Sequence, residues 1–207
     1  MDIQYFGANC VVLAYQGVRV VIDDNLADLG AKSISKNGDV VLFTGIHGEP
    51  KIEEKLVIDT PGEFEVGPFS IVGIPARAHI DEGGTMATMY RIEAGDIKLI
   101  ITGHVYPKLT DDQLESIGMT DLVIIPVGGN GYTLDPIGAL SLIKAIEPKI
   151  VIPTHYADKS LQYPVPQQSL EDALKGLAME PAETTHKLKL KPGELSESLK
   201  LIVLEKA

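Results

Sequence analysis

The chain has 207 residues, 44% of them hydrophobic and 23% charged, a size and composition expected of one domain spanning residues 1–207 with a sizeable core. With 18 basic against 29 acidic side chains and a net charge of −11, it lacks the basic surface that non-specific nucleic-acid affinity requires, and with no apolar run of about 18 residues it lacks a membrane-spanning helix. Cys10 is the single cysteine, which excludes an intrachain disulfide and a cysteine-built zinc site; because Met1-Asp2-Ile3-Gln4 carries neither a basic nor an apolar leader, a cytoplasmic location is expected.

The opening third reads as short strands. Ile3 to Phe6, Cys10 to Tyr15, Val18 to Ile22, Val40 to Phe43 and Leu56 to Ile58 are β-branched and apolar runs broken by Gly7, Gln16-Gly17 and Asn37-Gly38. Thr60-Pro61-Gly62-Glu63-Phe64-Glu65 reads as a turn whose carboxylates could face a cleft. Strands follow at Phe69 to Ile74, Met89 to Glu93 and Ile97 to Ile101, the last two joined by a hairpin turn at Ala94-Gly95-Asp96. After them the texture changes. Thr110 is an N-cap candidate before the acidic turn Asp111-Asp112, which predicts a short helix.

Asp121 to Val127 is a continuous apolar strand, Pro136 to Ile146 a helix opened by proline, and Lys149 to Pro153 a strand again. Together they form a β-α-β unit with a parallel pair. Ser169 to Leu177 predicts a further helix, and strands near Lys187 to Leu190 and Leu199 to Leu204 flank a turn at Pro192-Gly193. Lys187, Lys189 and Lys191 alternate with Leu188 and Leu190, the pattern of a strand's wet face. Many strands followed by alternating strands and helices imply an α/β fold of packed sheets with helices outside.

Four of the five histidines follow apolar, strand-like runs: His47, His79, His104 and His155. Strand ends hand side chains to loops on a rigid scaffold, and imidazole is the commonest metal ligand among side chains. If the four runs end at one edge, their imidazoles converge on a metal site or on the remains of one. The segment from Tyr156 to Gln168 has no periodic signal and directly follows one of these histidines, so it is a candidate cover for the cluster.

Val20-Val21-Ile22-Asp23, Thr60-Pro61-Gly62-Glu63-Phe64-Glu65-Val66, Ile125-Pro126-Val127-Gly128-Gly129 and Pro148 through Tyr156 occur in an order that resembles the metallo-β-lactamase superfamily. They most resemble its small bacterial branch of metal-dependent hydrolases related to ascorbate-phosphate lactonase. The resemblance implies a four-layer αββα sandwich with a metal centre at one edge of the two sheets.

It also exposes departures. The family's Thr-His-x-His-x-Asp-His motif corresponds to Thr44-Gly45-Ile46-His47-Gly48-Glu49-Pro50, so Gly45 and Pro50 stand where histidines are expected and Glu49 replaces the aspartate. His79 and His155 match the later ligand histidines. His104 stands where the family has a bridging aspartate, and a histidine cannot bridge two metals as a carboxylate does. Asp23 corresponds to a near-site aspartate that fixes neighbouring groups.

Two readings follow. One is a hydrolase acting on an ester, lactone or phosphoester through one divalent metal held by His47, His79, His104 and His155, with Glu49 or Asp81 as base. Zinc is expected first, manganese or iron otherwise. The other is an inactive relative with no metal, which binds a small molecule or a protein in the same cleft. A small-molecule partner is expected in the first case, neither nucleic acid nor membrane in either, and a homo-oligomer is compatible with both.

Overall fold

The computed structural model describes residues 1–48, 56–79, 86–191, 193, 195 and 198–207. In chain order the first sheet is built from β1 (Asp2–Gly7), β2 (Cys10–Tyr15), β3 (Val18–Ile22), β4 (Val40–Leu42) and β5 (Leu56–Ile58). The second takes β6 (Gly62–Val66), β7 (Phe69–Arg77), β8 (Met86–Ala94), β9 (Ile97–Ile101), β10 (Leu122–Pro126) and β11 (Ile150–Thr154). Of the last strands, β12 (Pro181–Thr185) and β14 (Lys200–Leu204) join the second sheet, and β13 (Leu188–Lys189) joins the first. The spatial orders are β13-β1-β2-β3-β4-β5 and β12-β14-β11-β10-β9-β8-β7-β6.

Alternation along the strands explains why two sheets pack. Ile3 and Tyr5, Val11 and Leu13, Val20 and Ile22, and Val40 and Leu42 turn inward from the first sheet to meet Phe69, Ile71, Tyr90, Ile92, Leu99, Ile101, Ile124 and Ile152 from the second. Tyr90 is buried in that layer, and its hydroxyl donates to the carbonyls of Phe43 and Ile58, which pins the sheets together near the end of β4.

β10 and β11 are buried on both faces, which is why they read as unbroken apolar runs. Their outer face is covered by α1 (Asp111–Ile117), α2 (Pro136–Ile146) and α3 (Leu170–Leu177). Ala139, Leu142, Ile143 and Ile146 of α2 fall at i, i+3, i+4 and i+7 and form its buried stripe. Each helix starts at a side-chain cap. Thr110 forms a capping box with Gln113, the Asp135 side chain accepts from Gly138 N–H, and the Ser169 side chain accepts from Asp172 N–H.

The outer face of the first sheet is covered differently. A 3-10 turn at Leu26–Leu29 and residues Leu161 and Tyr163 from the long loop after β11 pack on Ala8, Cys10, Val12 and Val21. Among the described residues the helical layer on this side is that turn, within an α/β sandwich of the expected kind.

Two elements differ from the sequence reading. Gly62–Val66, read as a turn, is an edge strand antiparallel to β7, and its Glu63 and Glu65 are exposed. Pro181–Thr185, unassigned from sequence, is a mostly exposed edge strand pairing with β14. Pro192 of the expected terminal turn lies outside the described residues.

Candidate functional site

β7 and β9–β11 run in one direction, so their carboxyl ends share one edge of the second sheet. β8 begins at Met86, opposite Arg77, and beyond that register, among the described residues, the continuations of β7 and β9 are neighbours. They pair directly: Ala78 bridges Val105, Tyr106 N–H donates to the Arg77 carbonyl at 2.9 Å, and His79 N–H donates to the His104 carbonyl at 2.9 Å. This backbone contact brings together two histidines 25 positions apart.

His155 arrives from β11. Its ring stands 4.6 Å from that of His104, centroid to centroid and nearly perpendicular at 89°. Tyr132 and Tyr163 complete an aromatic wall, with ring centroids 5.8 and 5.2 Å from His155. His155 Nδ1 donates to the Gln167 side-chain oxygen at 3.3 Å, a contact that leaves the Nε2 lone pair of the neutral ring available. His79, His104 and His155 all line a cavity of about 690 Å³ that also meets Asn9, Asp23, Thr44 and Gly45 of the first sheet.

Burial disfavours the protonated form of all three rings. It pushes His155 down to about 4, lowers His79, and takes His104 well below the ordinary histidine value, where the neighbouring His155 and His79 add to the effect. Nδ1 of His79 and Nδ1 of His104 are buried without a hydrogen-bond partner. Such atoms call for a polar ligand or ion.

The backbone at this edge is bent into left-handed conformations at Ala8 (φ 48°), Asp23 (φ 50°), Gly103 (φ 62°) and His155 (φ 53°). For the three non-glycine residues each such bend costs about 1–3 kcal/mol and persists only where surrounding contacts hold it. Those contacts are visible. His155 N–H donates to the Ala8 carbonyl at 2.7 Å, while Asn9 links the Asp23 carboxylate to the Thr154 hydroxyl.

Asp23 is 4% exposed, and its carboxylate accepts from Thr44 N–H, Thr44 Oγ1–H and Asn9 Nδ2–H. Burial raises its carboxyl above the usual range, against the pull of those donors. With both oxygens engaged, Asp23 ties strand ends together as the expected near-site aspartate does.

His47 lies apart from His79, His104 and His155. It stands five positions beyond β4, its ring stacks on Phe43 at 3.7 Å, Nδ1 donates to the Gly48 carbonyl, and Nε2 lies 3.3 Å from Asp59 Oδ2. It is absent from the cavity lining shared by the other three histidines. Glu49 and Asp81, expected as bases, lie outside the described residues. Asn9, Tyr132, Gln162 and Gln167 were not singled out in the sequence. Asn9, a polar residue between two apolar strands, gave a signal there, and Gln162 and Gln167 lie in the Tyr156 to Gln168 segment read as a cover for the cluster.

Residues 2–155 match the family described as beta-lactamase superfamily domain. The chain belongs to the β-lactamase superfamily. Among its relatives, a UPF0173 metal-dependent hydrolase of Thermus thermophilus is 24% identical over 88% of this chain and 97% of its own length. Another from Thermococcus onnurineus is 29% identical over 86% and 92%. Among solved structures, a Thermotoga maritima protein of the metallo-β-lactamase superfamily superposes with TM-score 0.75 and 26% identity, over 98% of this chain and 97% of its own.

The superfamily implies a metal, and the donors present decide what fits. The two-metal centre that the resemblance implied does not fit, since Gly45 lines the cavity where a histidine is expected and His47 turns away. Among the described residues no three His, Cys, Asp or Glu side chains already stand together as a metal cage. What the cavity offers an ion is the imidazoles of His79, His104 and His155. An ion there would meet neutral imidazoles, two of them with unpartnered buried nitrogens.

Proposed function

We propose that this protein is a metal-dependent hydrolase of the superfamily with a single-ion centre held by His79, His104 and His155, acting on an ester, lactone or phosphoester. The carrying observation is the perpendicular His104–His155 pair beside His79, with two buried imidazole nitrogens lacking partners on one cavity. The names of the Thermus and Thermococcus relatives support a metal and a hydrolytic reaction.

When bound, such an ion polarises the scissile group and makes water acidic enough to attack near neutral pH. The chain's own residues prepare the place. Gln167 orients His155 through Nδ1, burial disfavours protonation of the imidazoles, and the Asp23–Thr44–Asn9 network fixes the strand ends that carry them. Glu49 and Asp81 are the proposed bases on sequence alone. Zinc is the first candidate ion because three imidazoles and an open position suit it.

A second reading has one specific observation behind it. With no ready three-donor cage among the described residues, the cavity would serve an inactive relative as a ligand site. Elemental analysis of tag-free protein before and after incubation with zinc, manganese and iron decides between them. About one ion per chain, lost in His104→Ala, is expected for a three-ligand centre. No ion under any condition would leave the ligand-binding reading.

A further inference from the structure

We propose that residues 157–168 form a lid that opens as one unit, and that Lys206 is the positioning residue that latches it shut over His155. Such a lid governs access to the cavity whether the occupant is an ion or an organic molecule, so it goes beyond the hydrolase reading and does not depend on it.

The segment leaves β11 and returns beside its own start. Ala157 N–H donates to the Gln168 carbonyl at 2.8 Å, and Gln168 N–H to the Gly128 carbonyl at 2.8 Å. A loop tied at its ends in this way is an Ω-loop, packed by its own side chains and frequently functional. Those internal contacts are present: the Tyr163 hydroxyl donates to the Tyr156 carbonyl, and Ser160 N–H and hydroxyl donate to Asp158. The hinges are fixed. The Tyr156 ring packs 5.6 Å from that of Tyr5, and Ser169 caps α3.

Between the hinges the loop reaches from the edge of the second sheet to the outer face of the first. Its Gln162 and Pro164 line the cavity, and its Tyr163 ring and Gln167 side chain lie against His155. Leu161 sits on Ala8, Cys10 and Val12, with Tyr163 packed against the same cluster. The same unit therefore covers His155 on one side and Cys10 on the other. Its body is otherwise held by Gln162 N–H donating to the Leu29 carbonyl, by the Asn130 side chain donating to the Pro166 carbonyl, and by Lys206. A segment with so small an apolar seat opens at a lower free energy than the core.

Lys206 is placed to set that free energy. Tyr5 bridges it, and Ala207 N–H donates to the Tyr5 carbonyl at 2.9 Å, so its backbone is fixed to the first sheet beside β1. Its Nζ donates to Asp158 Oδ2 at 2.8 Å and to Ser160 Oγ at 2.6 Å. Its stem converges with Leu161 on Gly7, where a Cβ would meet Leu161 Cδ1 at 3.0 Å and Lys206 Cε at 3.3 Å. The ion pair and the apolar seat thus close together. Lys206 and Asp158 side chains are 35% and 20% exposed, a setting in which an ion pair shifts an equilibrium by up to about three- to fivefold.

Cys10 supplies the reporter, since it is the single cysteine, is fully buried, and lies beneath Leu161. Metal-free protein is exposed in parallel to N-ethylmaleimide and to diethyl pyrocarbonate, and modification of Cys10 and of His155 is followed by peptide mass spectrometry. In the parent, Cys10 labelling is expected to depend on urea far less steeply than global unfolding does, the mark of a local opening. Lys206→Met, which keeps the stem and removes the charge, should accelerate both modifications by about three- to fivefold, as should Asp158→Asn. Lys206→Arg should restore the parental rates. Salt at about 1 M should bring the parent toward the Lys206→Met rates and leave that variant unchanged, because screening removes only the ion pair.

Cys10 labelling with the full urea dependence of global unfolding, or rates unchanged in both Lys206→Met and Asp158→Asn, would overturn the proposal. Faster labelling of Cys10 without faster modification of His155 would mean that the loop loosens over the first sheet while the cavity stays covered, and the lid would be lost as well.

Discussion

Asp23 and Thr44 are joined twice, the carboxylate accepting from the Thr44 backbone N–H at 2.7 Å and from its hydroxyl at 2.6 Å. The pair clamps the ends of β3 and β4, and Asn9 extends the clamp to β11 through Thr154. Asp23→Ala would leave three buried donors facing a hole. A loss of about 3 kcal/mol or more is expected in urea unfolding, with a smaller loss for Asp23→Asn, which keeps the shape and one acceptor. An alanine variant within about 1 kcal/mol of the parent would show that the clamp is not needed for stability.

What could be read in the sequence follows from where local rules were sufficient. The helices were legible because Thr110, Pro136 and Ser169 announce their starts. His79, His104 and His155 were legible because they follow co-directional strands of one sheet, so a strand-end rule carries all three to one edge. His47 escaped the rule. It belongs to the other sheet, and the residues between β4 and its ring let it fold back onto Phe43. β12 was invisible because Pro181–Thr185 is held by backbone pairing to β14 and its exposed side chains show no alternation. Tyr132, Gln162 and Gln167 come from irregular loops whose placement no periodicity encodes.

The three depressed histidines give the metal-free protein a pH signature. Their folded values lie below the unfolded value near 6.5, so between the two the unfolded chain binds more protons than the folded one. Their contribution is therefore present above about pH 6.5 and is lost as pH falls toward the folded values. For His155, which falls to about 4, the loss between pH 7 and pH 5 amounts to about 2 kcal/mol, with His104 and His79 adding in the same direction. Urea unfolding across that range, above most carboxylate titration, should show the decline, and His155→Gln should flatten part of it. A pH-independent midpoint would mean that the rings are open to water.

Gly103 sets the direction from which His104 enters the site. Its φ of 62° is in the left-handed region, and a Cβ there would overlap the Thr44 Cβ and Oγ1 atoms. Gly17 has a comparable φ of 80° but nothing within 4 Å of such a Cβ. Gly17→Ala therefore measures backbone strain alone, about 1 kcal/mol, while Gly103→Ala adds crowding of about 1–3 kcal/mol. Equal losses for the two variants in thermal or urea unfolding would mean that Thr44 gives way freely, and with it the packing between the two sheets at the cavity.

His47 separates the geometry seen here from the arrangement its position in the superfamily motif suggests. Because its ring is stacked on Phe43 and its nitrogens meet Gly48 and Asp59, His47→Ala should leave the ion-induced rise in melting temperature intact. His155→Ala and His79→Ala should each remove most of it, since an ion that binds only the folded state stabilises by linkage, about 2.7 kcal/mol at a hundredfold excess over Kd. Zinc titrations of the three variants, followed by differential scanning calorimetry, distinguish the cases. If His47→Ala abolished the shift and His79→Ala did not, the ion would sit at the first sheet near Asp59. The perpendicular His104–His155 pair would then be packing at a vestigial cleft, and the assignment of the centre to the second sheet would have to be given up.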